Sequence, residues 1–179
     1  LGRMVHNDIS MSPLFSAPAI NNSIFKIDWL HAVDYGVASD FLGNLFELLI
    51  AKKRIAGDTR LLRARQLFLE IKAFYAARDV SCKLDELTPT MVKKKGAKFP
   101  KLNCKAGEAR ALIPFAVELS QRYCRDDDLE ESTVKAMAKH LNHCYEALSH
   151  RDIEGRSAQL KNNCRKFCLL FSSLDSAFS

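Results

Sequence analysis

A chain of 179 residues is long enough for one hydrophobic core and too short for several. Its hydrophobic content of 47% and charged content of 27%, with seven glycines and five prolines, exclude a disordered or loop-rich polypeptide and predict a folded, mostly helical body. The formal net charge of +6 and pI near 9.0 suit a partner that carries phosphates. The longest apolar run, Phe41 to Ala51, is interrupted by Gly43, Asn44 and Glu47 and falls short of the roughly 20 residues that cross a bilayer, so a soluble chain is expected.

Residues 1–23 are rich in Ser, Asn and Pro, with Pro13 and Pro18 opposing any helix, and read as an irregular arm whose Met11, Leu14, Phe15 and Ile20 are scattered anchors. Residues 24–179 read as a single helical domain. It opens on one short strand near residues 24–30, where Ile24, Phe25 and Ile27 precede Asp28, the only Trp (Trp29) and His31. Val37, Phe41, Leu45, Leu48 and Leu49 then recur at spacings of three and four, predicting a helix that ends in Lys52, Lys53 and Arg54 and is closed by Gly57.

Asp58 is placed to cap a second helix, with Leu61, Ala64, Leu67, Phe68, Ile71, Phe74 and Tyr75 on its apolar stripe and Arg60, Arg63 and Arg65 on the remaining face, a solvated surface in preference to a phosphate-binding stripe. Thr88 and Pro89 read as the cap and first residue of a short helix through Met91 and Val92. Between residues 93 and 105 stand six lysines, Lys93, Lys94, Lys95, Lys98, Lys101 and Lys105, with no acid among them. Cations at that density repel one another unless an anion compensates, which makes the segment either a solvated loop or a nucleic-acid contact.

Ala106 to Tyr123 follows as a helix that Pro114 should kink. The acidic run Asp126, Asp127, Asp128, Glu130 and Glu131 fits the negative first turn of the next helix better than a metal site. Val134, Met137, Leu141, Cys144, Tyr145 and Leu148 mark the buried face of that helix, and Ser157 to Phe178 forms a last amphipathic one. The fold class is therefore mainly α, a bundle of about five to six amphipathic helices behind one strand.

Six cysteines in a chain with this much core read as reduced thiols of an intracellular protein, not as a disulfide frame. No uninterrupted apolar stretch of signal-peptide type follows Arg3 and His6, and Leu1 in the first position reads as a fragment or a processed product. His140, His143 and Cys144 are zinc-ligand types that can share a helical face, while Cys164 and Cys168, four apart, more often fill a core. No Gly-rich phosphate loop is present.

Two segments resemble eukaryotic cut-and-paste transposases of the CACTA and Plavaka kind. Asp28-Trp29-Leu30-His31 ahead of an apolar helix resembles their Asp-x-x-His segment, and Lys105-Ala106-Gly107-Glu108-Ala109-Arg110 resembles the Lys-Ala-x-Glu-x-Arg segment that follows it. The resemblance spans about residues 24 to 120. It implies the helical insertion and end of an RNase H-like domain, with Asp28 and His31 matching the first motif and Glu108 the acid that helps bind Mg2+. It also implies a lysine loop turned toward DNA, and a nuclear location.

Such transposases attack phosphodiesters with metal assistance, two ions clamping the attacking and leaving oxygens. Their two upstream aspartates have no counterpart here beyond Asp8, so the chain reads as a transposase-derived DNA-binding domain with an incomplete catalytic site. If it is active, metal-dependent DNA strand cleavage or transfer is implied. The bland alternatives stand beside this: Asp28 as a helix cap, Trp29 and His31 as core residues, Glu108 as a first-turn glutamate. Two rival functions remain open, a helical scaffold that docks protein partners through its basic loop and last amphipathic helix, and a helical zinc-binding module built on His140, His143 and Cys144.

Overall fold

The computed structural model describes residues 28–149 and 155–177, the side chains of 175–177 excepted. The arm at 1–23 and residues 24–27 of the expected strand lie outside the described residues. Residues 28–30, the remainder of that strand, open a helix instead. Asp28 is the reason: its Oδ1 accepts the backbone N–H of Leu30 at 3.0 Å and of His31 at 3.4 Å, and its carbonyl accepts the N–H of Ala32 at 2.9 Å. A side-chain carboxylate that satisfies free N–H groups in this way starts a helix and competes with extended pairing.

The first turns, Leu30–Ala38, are π-helical and run directly into α1, Ser39–Ala51. Four further helices of more than three turns follow the same logic of apolar spacing: α2, Arg60–Ala76; α4, Ala106–Tyr123; α5, Leu129–Ser149; and α6, Ser157–Ala177. The short α3, Pro89–Val92, lies between α2 and α4. No strand occurs among the described residues, and no helix of theirs is long and apolar enough to cross a membrane.

The core forms around α1. Phe41, Leu42, Leu45, Phe46, Leu49 and Ile50 are all buried, which makes a broad stripe over about half its circumference, with Asp40, Asn44 and Glu47 on the other side. The π-helical segment and α4 lie against it, α4 packs in turn on α5, and the α5–α6 hairpin is the most extensive helix pairing. Helix α4 runs through Pro114, whose ring is exposed on the face away from the core.

Helix ends follow local chemistry, in part at residues other than those expected. Helix α1 terminates where Lys53 adopts φ 55°: the Arg54 N–H donates to the Leu49 carbonyl at 2.9 Å and the Lys53 N–H to the Ile50 carbonyl at 3.3 Å. That is a Schellman closure, and it uses Lys53, not Gly57. Thr59 caps α2 in place of Asp58, its Oγ1 accepting the Leu62 N–H at 3.2 Å. Arg63 leaves the expected solvated face, being buried with its Nη1 donating to the Gly57 carbonyl at 2.9 Å. Thr88 and Pro89 start α3 as their types predict.

Candidate nucleic-acid interface

The lysine-rich segment is anchored at both ends. After α3, the Lys101 N–H donates to the Val92 carbonyl at 3.2 Å and the Asn103 N–H to the Met91 carbonyl at 2.8 Å, while the Leu102 N–H donates to the Ser39 carbonyl at 2.9 Å. Leu102 is buried, and Asn44 of α1 donates to the Pro100 carbonyl at 3.3 Å. This close approach requires a glycine opposite. A Cβ on Gly43 would stand 2.6 Å from Lys101 Cα and from Leu102 N, both backbone atoms.

The free part of the loop projects from this mount. The Ala97 N–H donates to the Lys94 carbonyl at 3.0 Å with Gly96 at φ 80°, a turn that needs a residue free of Cβ at its third position. Lys94 and Lys95 sit in that turn and are exposed, as is Lys98. Lys93 is half-buried at the end of α3.

The six lysines divide by their partners. Lys101 lies 3.1 Å from Asp40 and Lys105 lies 3.6 Å from Glu108, whereas Lys93, Lys94, Lys95 and Lys98 have no ion pair among the described residues. Exposed rings stand among them. Lys98 Nζ is 4.9 Å from the centre of the Phe99 ring, and Lys101 Nζ is 5.6 Å from that of Tyr35. Below the loop, α1, α5 and α6 border an apolar groove of about 680 Å3, with Phe99, Phe171 and Leu174 at its walls.

The three residues matched to the transposase motifs are placed as follows. Asp28 and His31 meet at the surface, His31 Nδ1 lying 2.5 Å from Asp28 Oδ2. The imidazole contact holds the Asp28 carboxyl below its usual range, the two backbone N–H groups adding to it. Glu108 is buried in the first turn of α4, where Oε2 accepts the Lys105 N–H at 2.9 Å, the glutamate half of a capping box. No hydrogen bond or ion pair joins Glu108 to Asp28 or His31. Mg2+ takes about six oxygen ligands in octahedral geometry, and the described residues do not assemble such a set: among them no three His, Cys, Asp or Glu side chains converge on a point that could hold a metal ion.

The same holds for the zinc-ligand types. His140 Nδ1 is 2.9 Å from Asn163 Oδ1, its ring centre is 6.4 Å from that of His143, and Cys144 faces Cys164 across the helix pair. Nor do the acids ahead of α5 converge on a metal. Asp128 Oδ1 accepts the Glu131 N–H at 3.1 Å, so Asp128 caps the helix.

One cluster is absent from the motif reading. Asp34, buried in the π-helical segment, accepts a 2.6 Å hydrogen bond from the Tyr145 hydroxyl of α5. Trp29 meets the Tyr145 ring edge-on at 6.0 Å, and the Arg110 guanidinium of α4 lies 5.5 Å from that ring. Burial, and then the Asp34 carboxylate, push the Tyr145 hydroxyl well above its usual value, so it stays a hydrogen-bond donor at neutral pH. Alternation of polar and apolar residues around Asp34 offered no sign that this carboxylate, and not Asp28, is the buried one.

No family model, curated protein or solved structure matches this chain.

Proposed function

We propose that this domain binds DNA by contacts from the lysine loop to the phosphate backbone, as a transposase-derived domain without a complete catalytic site in this chain. The observation that carries the reading is the mount: the loop is held at Leu102 against Gly43, while Lys94, Lys95 and Lys98 reach solvent with no carboxylate within ion-pair distance. Preorganised cations lose little freedom on meeting a phosphate, and each contact releases counterions. Phe99 and Tyr35, exposed between the lysines, add flat apolar surface of the kind that accompanies nucleic-acid contacts. The assignment of Asp28, His31 and Glu108 to catalysis has weaker support, since Glu108 already serves its own helix end and Asp28 its own.

The test is a titration of a short DNA duplex with the folded chain and with a Lys94→Ala, Lys95→Ala, Lys98→Ala variant. The reading expects the variant to bind at least tenfold more weakly at ~50 mM salt, where three lost phosphate contacts weigh most. Equal affinity of the two proteins contradicts it. Incubation of the duplex with Mg2+ tests the catalytic side, where cleavage that Glu108→Gln removes would restore the enzymatic reading.

A second reading is favoured by the groove. Its acids are already engaged, Asp40 by Lys101 and Glu130 by Lys52 at 2.8 Å, so its rim presents the positive Lys98 beside Phe99 and Phe171. The complementary occupant is an amphipathic helix with apolar residues on one face and acids along its edge. Binding of a designed peptide of that pattern, abolished by Phe171→Asp, supports this reading, and no binding removes it.

A further inference from the structure

The hairpin of α5 and α6 gathers three of the six cysteines on one seam. Cys144 of α5 is buried and Cys164 of α6 is half-buried, with their sulfurs 3.6 Å apart, and Cys168 lies one turn further along α6 and is exposed. A hydrogen bond from the same two helices fixes the register beside the pair, His140 Nδ1 to Asn163 Oδ1 at 2.9 Å, with Asn163 itself buried. A disulfide needs its sulfurs about 2.05 Å apart. At 3.6 Å the two sulfurs are in contact, about 1.5 Å short of bonding distance.

We propose that Cys144 and Cys164 form an oxidisable pair, which a two-electron oxidant of the peroxide class converts to a disulfide tying α5 to α6. Cys164 is the more open of the two and meets the oxidant first. Its sulfur attacks one peroxide oxygen, the O–O bond breaks, the other oxygen leaves as water, and Cys164 becomes a sulfenic acid, oxidised by two electrons. The Cys144 sulfur then attacks the sulfenic sulfur. The S–S bond forms, the S–O bond breaks, and the departing hydroxide takes the Cys144 thiol proton as a second water. Burial, with the neighbouring Cys164 adding to it, pushes the Cys144 thiol well above its usual value and leaves the first attack to Cys164; what places Cys144 to resolve is its sulfur, 3.6 Å from that of Cys164. The bond would hold in place the helix that carries Phe167, packed on Phe41 at 6.0 Å, and the groove residues Phe171 and Leu174.

Trypsin separates the three thiols, since cuts after Lys139, Arg151, Lys161, Arg165 and Lys166 place Cys144, Cys164 and Cys168 in different peptides. The experiment treats the folded full chain with hydrogen peroxide, alkylates the remaining thiols under denaturing conditions, and maps linked peptides by mass spectrometry. The expected product joins peptide 140–151 to peptide 162–165, loses two of the six alkylatable thiols, reverts with dithiothreitol, persists in Cys168→Ser and vanishes in Cys164→Ser. Cys164→Ser is the informative variant because its side chain is only half-buried, and an unchanged helical circular dichroism spectrum certifies its fold. A link from 140–151 to 167–179, or six thiols still alkylated after exposure to peroxide, overturns the proposal.

Discussion

The lysine loop and the acidic stretch before α5 are both dense runs of one charge, and they are built in opposite ways. Between Asp126 and Glu131 every carboxylate has a cation. Lys52 reaches Asp128 at 2.6 Å and Glu130 at 2.8 Å, Arg54 reaches Glu131 at 2.7 Å, Lys135 reaches Asp126 at 2.8 Å, and Arg125 pairs with Asp127. Burial works against charge on Lys52, but Asp128 and Glu130 more than offset it and hold its ammonium above the usual lysine range. In the lysine loop, by contrast, Lys93, Lys94, Lys95 and Lys98 are left over among the described residues, the last three of them exposed. A run of charge is left open only where the rest of the chain supplies no counter-ions, and for the acids that supply is partly local, from Arg125 and Lys135, and partly from Lys52 and Arg54 some 75 positions away.

The comparison breaks most sharply at Glu131. Its side chain is fully buried, and it accepts from Arg54 and from the Arg125 N–H at 2.7 Å. Glu131→Gln leaves an arginine without its counter-charge, and the expected cost is about 3 kcal/mol in urea unfolding at pH 7. Burial raises the Glu131 carboxyl, but the Arg125 amide and Arg54 outweigh it and leave it below its ordinary value. A depressed folded value gives stability that is fully present above the unfolded value near 4.3 and is lost as pH falls through the folded one. The gap between wild type and Glu131→Gln should therefore narrow as unfolding is measured at pH 4 and then pH 3.

Gly43→Ala is the matching break in the basic region. Its Cβ would collide with Lys101 and Leu102 backbone that has little room to retreat, and about 2 to 3 kcal/mol of stability is expected to go. Faster amide hydrogen exchange at Leu102 and Asn103 should accompany that loss.

Glu108 gives a smaller and sharper contrast. The N3 side chain that accepts the N-cap N–H can be Gln as readily as Glu, so Glu108→Gln should leave the melting temperature close to wild type while Glu108→Ala costs about 1 kcal/mol. A Gln variant as unstable as the Ala variant would mean that the charge of Glu108, not its cap, matters to the fold. The smallest expected effect on stability belongs to the loop. Lys94→Ala, Lys95→Ala and Lys98→Ala together should shift unfolding by no more than ~0.5 kcal/mol per site, because none of the three ammonium groups has an ion-pair partner to lose.

Much of the helical frame was legible in spacing, because α1, α2, α4, α5 and α6 each bury one stripe and Thr88 with Pro89 marks a start by chemistry alone. The strand failed at 28–30 because Asp28 caps its own chain, a local hydrogen bond that outweighs the β-propensity of the residues before it. Arg63 looked solvated because its partner is a backbone carbonyl, that of Gly57, which no side-chain pattern announces. The site was legible as charge only. That Lys101 is neutralised by Asp40, and that Gly43 carries the loop, depends on contacts between α1 and residues some 60 positions on, whereas the Lys105–Glu108 pair is local. Cys144 and Cys164 stand at similar distances on either side of the break between α5 and α6, and an antiparallel pairing of those two helices was the one sequence signal that could have brought them together.

The central claim is that the unpaired lysines make phosphate contacts, and the most direct measurement is the slope of log affinity for duplex DNA against log salt, from about 50 to 200 mM, for wild type and the triple lysine variant. Each phosphate contact contributes about −0.9 to that slope, so the account predicts a variant slope shallower by roughly 2 to 3. Identical slopes, or an affinity that does not change with salt, would contradict it.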